Sequence, residues 1–200
     1  MNPEIVNSGN GSLMRLSPVP AALHHNPAKA IATAKLQSKV THSSPLCLDA
    51  CVLATAYMIG FYHAKGNARE RKQAVLNPDF TPFADGSPIP LVTERVRELH
   101  ELGAYKNREV SEVMTDGFVL STLEAALWAL WRGNTFEEGL MLLLPLGSDV
   151  DTVSAVYGQL AGSCYGYDEI PRRWLKKLQQ QDLLSESYQG IITLGMQAGH

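Results

Sequence analysis

Cysteine is scarce in this chain of 200 residues, and it has no basic patch, no long apolar run and no strand-like alternation. Three cysteines are an odd number, which leaves no disulfide framework to read. Cys47 and Cys51 stand four apart, as helix neighbours and not as a zinc hook. The expectation is reduced thiols in the core of a cytoplasmic protein. Seventeen Lys and Arg against twenty Asp and Glu give a net charge of −3, and the basic residues are scattered. No surface that tracks phosphates is implied, so nucleic acid is not an expected partner. The most apolar window, Ala50 to Tyr62, lies uncharged between Asp49 and His63. A membrane span needs roughly 20 such residues, so this window predicts a buried core helix and no membrane. Met1 to Val6 lacks the cationic and apolar regions of a signal peptide. With β-branched residues dispersed and no repeat, residues 1–200 are expected to form one all-α, multi-helix domain.

Helices are punctuated by Pro, Gly and capping residues. Asn26-Pro27 opens one that runs through Ala30, Ile31 and Ala34 to about Lys39. Leu46 to Lys65 follows and stops at Gly66. Arg69, Glu70, Arg71 and Lys72 predict a solvated face, and Asn77 to Pro88 a long loop. Leu91 to Leu102 is amphipathic. Phe118 to Arg132 points Leu120, Leu123, Leu127, Leu130 and Trp131 inward and ends at Gly133. Thr135 and Glu138 suggest a capping box for a helix that Pro145 ends. Ile170-Pro171 predicts a helix with Trp174, Leu175 and Leu178 on one side. Ser185 is the expected cap of a last helix.

Chemistry concentrates at Gly147-Ser148-Asp149-Val150-Asp151-Thr152. The following run places Val153, Val156, Leu160, Ala161 and Cys164 on one helical face, so the acidic triplet sits at a loop-to-helix junction. Asp149, Asp151 and Thr152 offer only oxygen, which suits a hard cation such as Mg²⁺ or Ca²⁺. The plainer alternative is that Asp149 or Asp151 simply caps the helix. Asn7-Ser8-Gly9-Asn10-Gly11-Ser12 can turn backbone N–H groups into an anion cradle, or be an ordinary tight turn. His42 is a ligand-contacting donor or an idle loop histidine.

Five stretches agree in order and content with one family. Gly9 to Arg15, Thr41-His42, Thr122 to Trp128, Gly147 to Thr152 with Gly158-Gln159-Leu160-Ala161-Gly162, and Ile170 to Trp174 together resemble the ADP-ribosylglycohydrolases. This is the group related to the enzyme that removes ADP-ribose from dinitrogenase reductase. The resemblance implies an all-α domain around a cleft with two Mg²⁺ ions. It places metal ligation on Asp149, Asp151 and Thr152, with Asp151 also the candidate catalytic group. It places ADP-ribose contacts on Asn7, Ser8, Gly9, Asn10, Gly11, Met14 and His42, with Arg15 supporting the loop. The implied activity is Mg²⁺-dependent hydrolysis of the glycosidic bond between ADP-ribose and a protein side chain or small acceptor.

Some positions depart from the family pattern. Ser148 stands for a usual Gly, Val150 for Ala, Ser121 for a frequent Asp, and Pro145 near a common Asn. Family members also carry a Thr-Asp-Asp-Thr element ahead of the Gly-Asn-Gly loop, and no Asp-Asp pair occurs in these 200 residues. The expectation is a chain lacking the family's N-terminal segment, with half of the metal ligands and weak Mg²⁺ binding. The alternative to a hydrolase is a family remnant that binds ADP-ribose or a partner chain without hydrolysis. Pairing would use the surface that the missing segment leaves uncovered.

Overall fold

The computed structural model describes residues 7–198. Among them are ten α-helices: α1 Pro18–Leu23, α2 Pro27–Lys39, α3 Pro45–His63, α4 Ala68–Val75, α5 Glu94–Glu101, α6 Val119–Arg132, α7 Phe136–Leu143, α8 Val150–Tyr165, α9 Arg172–Leu175 and α10 Gln181–Ala198. No strand occurs among the described residues; a single antiparallel bridge pairs Gly9 with Phe118. The fold is all-α, as its punctuation implies.

Helix α3 is the axis. Ser44 caps it by accepting from the Cys47 N–H, and Pro45 takes the first helical position, where a missing N–H costs nothing. Every residue from Ala50 to Phe61 is buried. Burying each large apolar side chain is worth about 1.5–3 kcal/mol, so this helix contributes much of the core's stability. By length and composition α3 could cross a membrane, yet 78% of its most apolar stretch is covered by the rest of the protein. That cover comes from α1, α2, α4, α5, α6 and α8. Asp49, buried on α3, accepts from the N–H groups of Val92 and Thr93 at 2.8 and 2.6 Å and from the Thr93 hydroxyl. One buried carboxylate thus starts α5. Helices α6, α7 and α8 pack on one another beside this axis. All three cysteines are free and buried.

Several local expectations are corrected. Lys72 does not belong to a solvated face: it is 5% exposed. Its ammonium donates to the carbonyls of Leu130 and Gly133 at 3.1 and 2.6 Å, the unpaired C-terminal end of α6. A cation there satisfies orphan carbonyls and the helix dipole together. The glutamate of the Thr135 cap turns to Asn134 instead of closing a box. The helix after Pro171 lasts one turn, and Leu178 is exposed. The last helix begins at Gln181, so Ser185 lies within it and caps nothing. Helix α10 packs on α1 and leaves Leu183, Leu184, Tyr188 and Met196 exposed.

Candidate functional site

The Gly-Asn-Gly loop and the acidic junction meet. Asn10 is 9% exposed, and its Nδ2 donates to Thr122 Oγ1 at 2.9 Å and Asp149 Oδ2 at 2.6 Å. One amide therefore ties the loop to α6 and to the N-terminus of α8, across 112 and 139 residues of chain. The segment Thr115-Asp116-Gly117 lies between them. Gly117 O accepts from Asn10 N–H, Thr115 O from Asp149 N–H, and Ser8 O from Val119 N–H. Nothing in the sequence marks Thr115 to Gly117 as part of the site beyond its turn-forming Asp-Gly. Gly117 takes φ 78°, a value that suits glycine.

Behind the loop the contacts are dense. Ser8 is fully buried with its hydroxyl 2.6 Å from that of Ser44, so it faces the interior. Ser12 accepts from Ser38 at 2.8 Å. Cys47 donates to Gly9 O at 3.3 Å. Burial raises the Cys47 thiol and pushes Cys51 up to about 11, so both stay protonated and supply no nucleophile. Gln159 of α8 holds the loop's far arm. Its Nε2 donates to the carbonyls of Leu13 and Met14, and its Oε1 accepts from Ser17 N–H at 2.7 Å. The motif Gly158 to Gly162 therefore has a positioning role that spacing alone did not assign.

His42 closes the loop from the other side. A Cβ on Gly11 would stand 2.7 Å from the imidazole Cε1, so only glycine lets this ring lie where it does. Thr41 Oγ1 lies 2.7 Å from His42 Nδ1 and accepts from Arg15 at 2.6 Å. Arg15 also donates to Gln37, which makes it a brace for His42 and the loop. Met14 is 46% exposed and Asn7 is exposed, both on the loop's outer side.

At the junction, Gly147 and Ser148 both take positive φ, 68° and 55°. Ser148 therefore occupies a backbone position that favours glycine. Asp149 is the N-cap residue of α8, but its side chain makes no cap hydrogen bond. Its Oδ1 accepts from Thr152 Oγ1 at 2.9 Å. Asp151 is exposed in the first turn, with no hydrogen-bond partner among the described residues. Asp149, Asp151 and Thr152 fit a hard cation in donor type. They leave its shell incomplete: among the described residues no group of three His, Cys, Asp or Glu side chains gathers its ligand atoms at this junction.

The sequence profile of the ADP-ribosylglycohydrolase family matches residues 2–197. The chain belongs to the ADP-ribosylglycohydrolase family. These are hydrolases. The chain is 33% identical over 187 residues to an ADP-ribosylarginine hydrolase of Serratia proteamaculans, covering 92% of this chain and 46% of that protein. It is 26% identical to the ADP-ribosyl-[dinitrogen reductase] glycohydrolase of Rhodospirillum rubrum, over 88% of this chain and 52% of the other. A solved ADP-ribosylglycohydrolase-related protein complex superposes with a TM-score of 0.74 at 31% identity, covering 98% of this chain and 62% of that one. The chain thus spans about half the length of these curated relatives.

Proposed function

We propose that this chain forms the ADP-ribose-binding wall and part of the Mg²⁺ site of a hydrolase. The bond cleaved is the glycosidic bond between ADP-ribose and an acceptor side chain, arginine first among them. One observation carries the reading: the Asn10 amide joins a glycine loop to an all-oxygen acidic junction at a helix N-terminus. Backbone N–H groups of the loop suit the phosphates, and the positive end of α8 favours negative charge beside it. His42, held at Nδ1 by Thr41, presents its other nitrogen to the loop as a donor or acceptor. Asp149, Asp151 and Thr152 would hold Mg²⁺. Once bound, the ion supplies orientation of the ribose hydroxyls and a more acidic water. Water replaces the acceptor at the anomeric carbon, and the departing nitrogen or oxygen takes up a proton. Likeness to an ADP-ribosylarginine hydrolase supports arginine as that acceptor.

The incomplete donor set favours a second reading, an ADP-ribose binder without turnover of its own. Both are tested with ADP-ribosylarginine peptide, Mg²⁺ and chromatographic detection of free ADP-ribose. The 200-residue polypeptide is expected to bind ADP-ribose calorimetrically and to release none. Adding a family segment that bears Thr-Asp-Asp-Thr should start turnover that Asp151→Asn then stops. Release by the polypeptide alone, abolished by Asp151→Asn, would overturn the second reading. Failure to bind ADP-ribose at all would overturn both.

A further inference from the structure

Away from this site, three imidazoles converge where two helices end. His24 follows the last residue of α1, His25 is next to it, and His63 is the last residue of α3. His24 Nδ1 and His63 Nε2 are 3.4 Å apart. One nitrogen from each of the three rings lies within 4.8 Å of the others. The ring centroids stand 3.7 Å (His24–His25), 5.3 Å (His24–His63) and 6.1 Å (His25–His63) apart.

We propose that His24, His25 and His63 form a binding site for a late first-row divalent cation, Zn²⁺ foremost. Two nitrogens bound tetrahedrally at about 2.0–2.1 Å from zinc lie roughly 3.4 Å from each other, the separation that His24 and His63 already have. His25 needs only a side-chain rotation to close the third edge, and it is exposed and free to make it. The His24 carbonyl oxygen, 3.2 Å from His63 Nε2, or a water can complete four-coordination. An all-imidazole set favours zinc, copper or nickel over the hard cations suited to the acidic junction. The ends of α1 and α3 also direct carbonyl dipoles toward positive charge.

Packing does not account for the cluster. His25 and His63 are exposed, and His24 is held edge-on by Tyr62 at 5.6 Å. A bound ion would tie the α1–α2 turn to the end of α3, segments 39 residues apart. That tie fixes the arm that leaves the Gly-Asn-Gly loop. The site is therefore a structural clip, open to solvent at one position, and separate from ADP-ribose chemistry.

The probe is Zn²⁺ alone, titrated calorimetrically into chelator-stripped protein, with Tm followed in parallel. Saturable binding of one Zn²⁺ per chain and a rise in Tm are expected. His63→Ala removes an exposed ring, so its Tm in chelator should equal that of the parent. Zn²⁺ affinity in that variant should fall by more than the roughly 10–100-fold that losing an outer-shell partner costs, and the Zn²⁺-induced rise in Tm should vanish. His25→Ala should weaken binding as well. X-ray absorption of the zinc complex should show imidazole nitrogen and no sulfur at about 2.3 Å. Absence of saturable binding, binding untouched by His63→Ala, or a sulfur shell would overturn the proposal.

Discussion

The two sides of the candidate site differ in how completely they are built. On the loop side nearly every polar group has a partner: Asn10 on Thr122 and Asp149, Gln159 on Leu13, Met14 and Ser17, Arg15 on Gln37 and Thr41. On the acidic side Asp149 is engaged twice, whereas Asp151 is exposed and without a partner among the described residues. Preorganised groups bind without ordering costs, while unpartnered carboxylates keep their charge for something else to meet. On the proposed reading, the half that would recognise ADP-ribose is already braced within the chain, and the half that would hold Mg²⁺ calls for further ligands.

Substitutions can break this contrast. Asn10→Ala should have the largest effect, because it strands a buried Thr122 hydroxyl and half-buried Asp149 together. A loss of roughly 2–3 kcal/mol, or about 4–12 °C in Tm, is expected in thermal denaturation. A change under 1 °C would mean the loop is held without its amide. Gly11→Ala comes next. It drives a methyl group into the His42 ring, at a cost of about 1 kcal/mol at this half-buried position, and should weaken ADP-ribose binding in calorimetry. His42→Ala combined with Gly11→Ala should cost no more than His42→Ala alone, since the clash is then gone.

Mg²⁺ titration sharpens the other side. Three oxygens from one junction leave an octahedral ion mostly hydrated, so binding no tighter than roughly millimolar is expected. A tight site lost in Asp149→Asn would show that ligands elsewhere complete it. Smallest of all, Asp151→Asn should shift stability by less than about 0.5 kcal/mol, as for a surface residue without contacts. A larger loss in chemical denaturation would reveal a partner for Asp151.

The helices that were legible in the sequence carry their signals locally. Asn26 accepts from Lys29 N–H as the cap before Pro27, and the uncharged run of α3 predicts its own burial. The acidic junction was legible for the same reason, since Asp149 to Thr152 and the α8 face adjoin. What stayed hidden depends on distant partners. Lys72 looks like one more charge in Arg69 to Lys72 until the open carbonyls of α6 are placed beside it. The role of Gln159 needs a loop some 145 residues away. Ser185 misled because a cap is defined by where the helix starts, and Gln180, at φ 53°, turns the chain earlier.

Gln159 has one more consequence. It grips the Gly-Asn-Gly loop from the same helix whose first turn carries Asp151, eight residues earlier, or about 12 Å along the axis. Helix α8 is therefore a calliper with both jaws on one rigid beam. On the proposed reading, the gauge between a phosphate group at one end and a cation at the other would be machined into that beam. A ligand of the wrong span would be refused by geometry before any of its atoms is read.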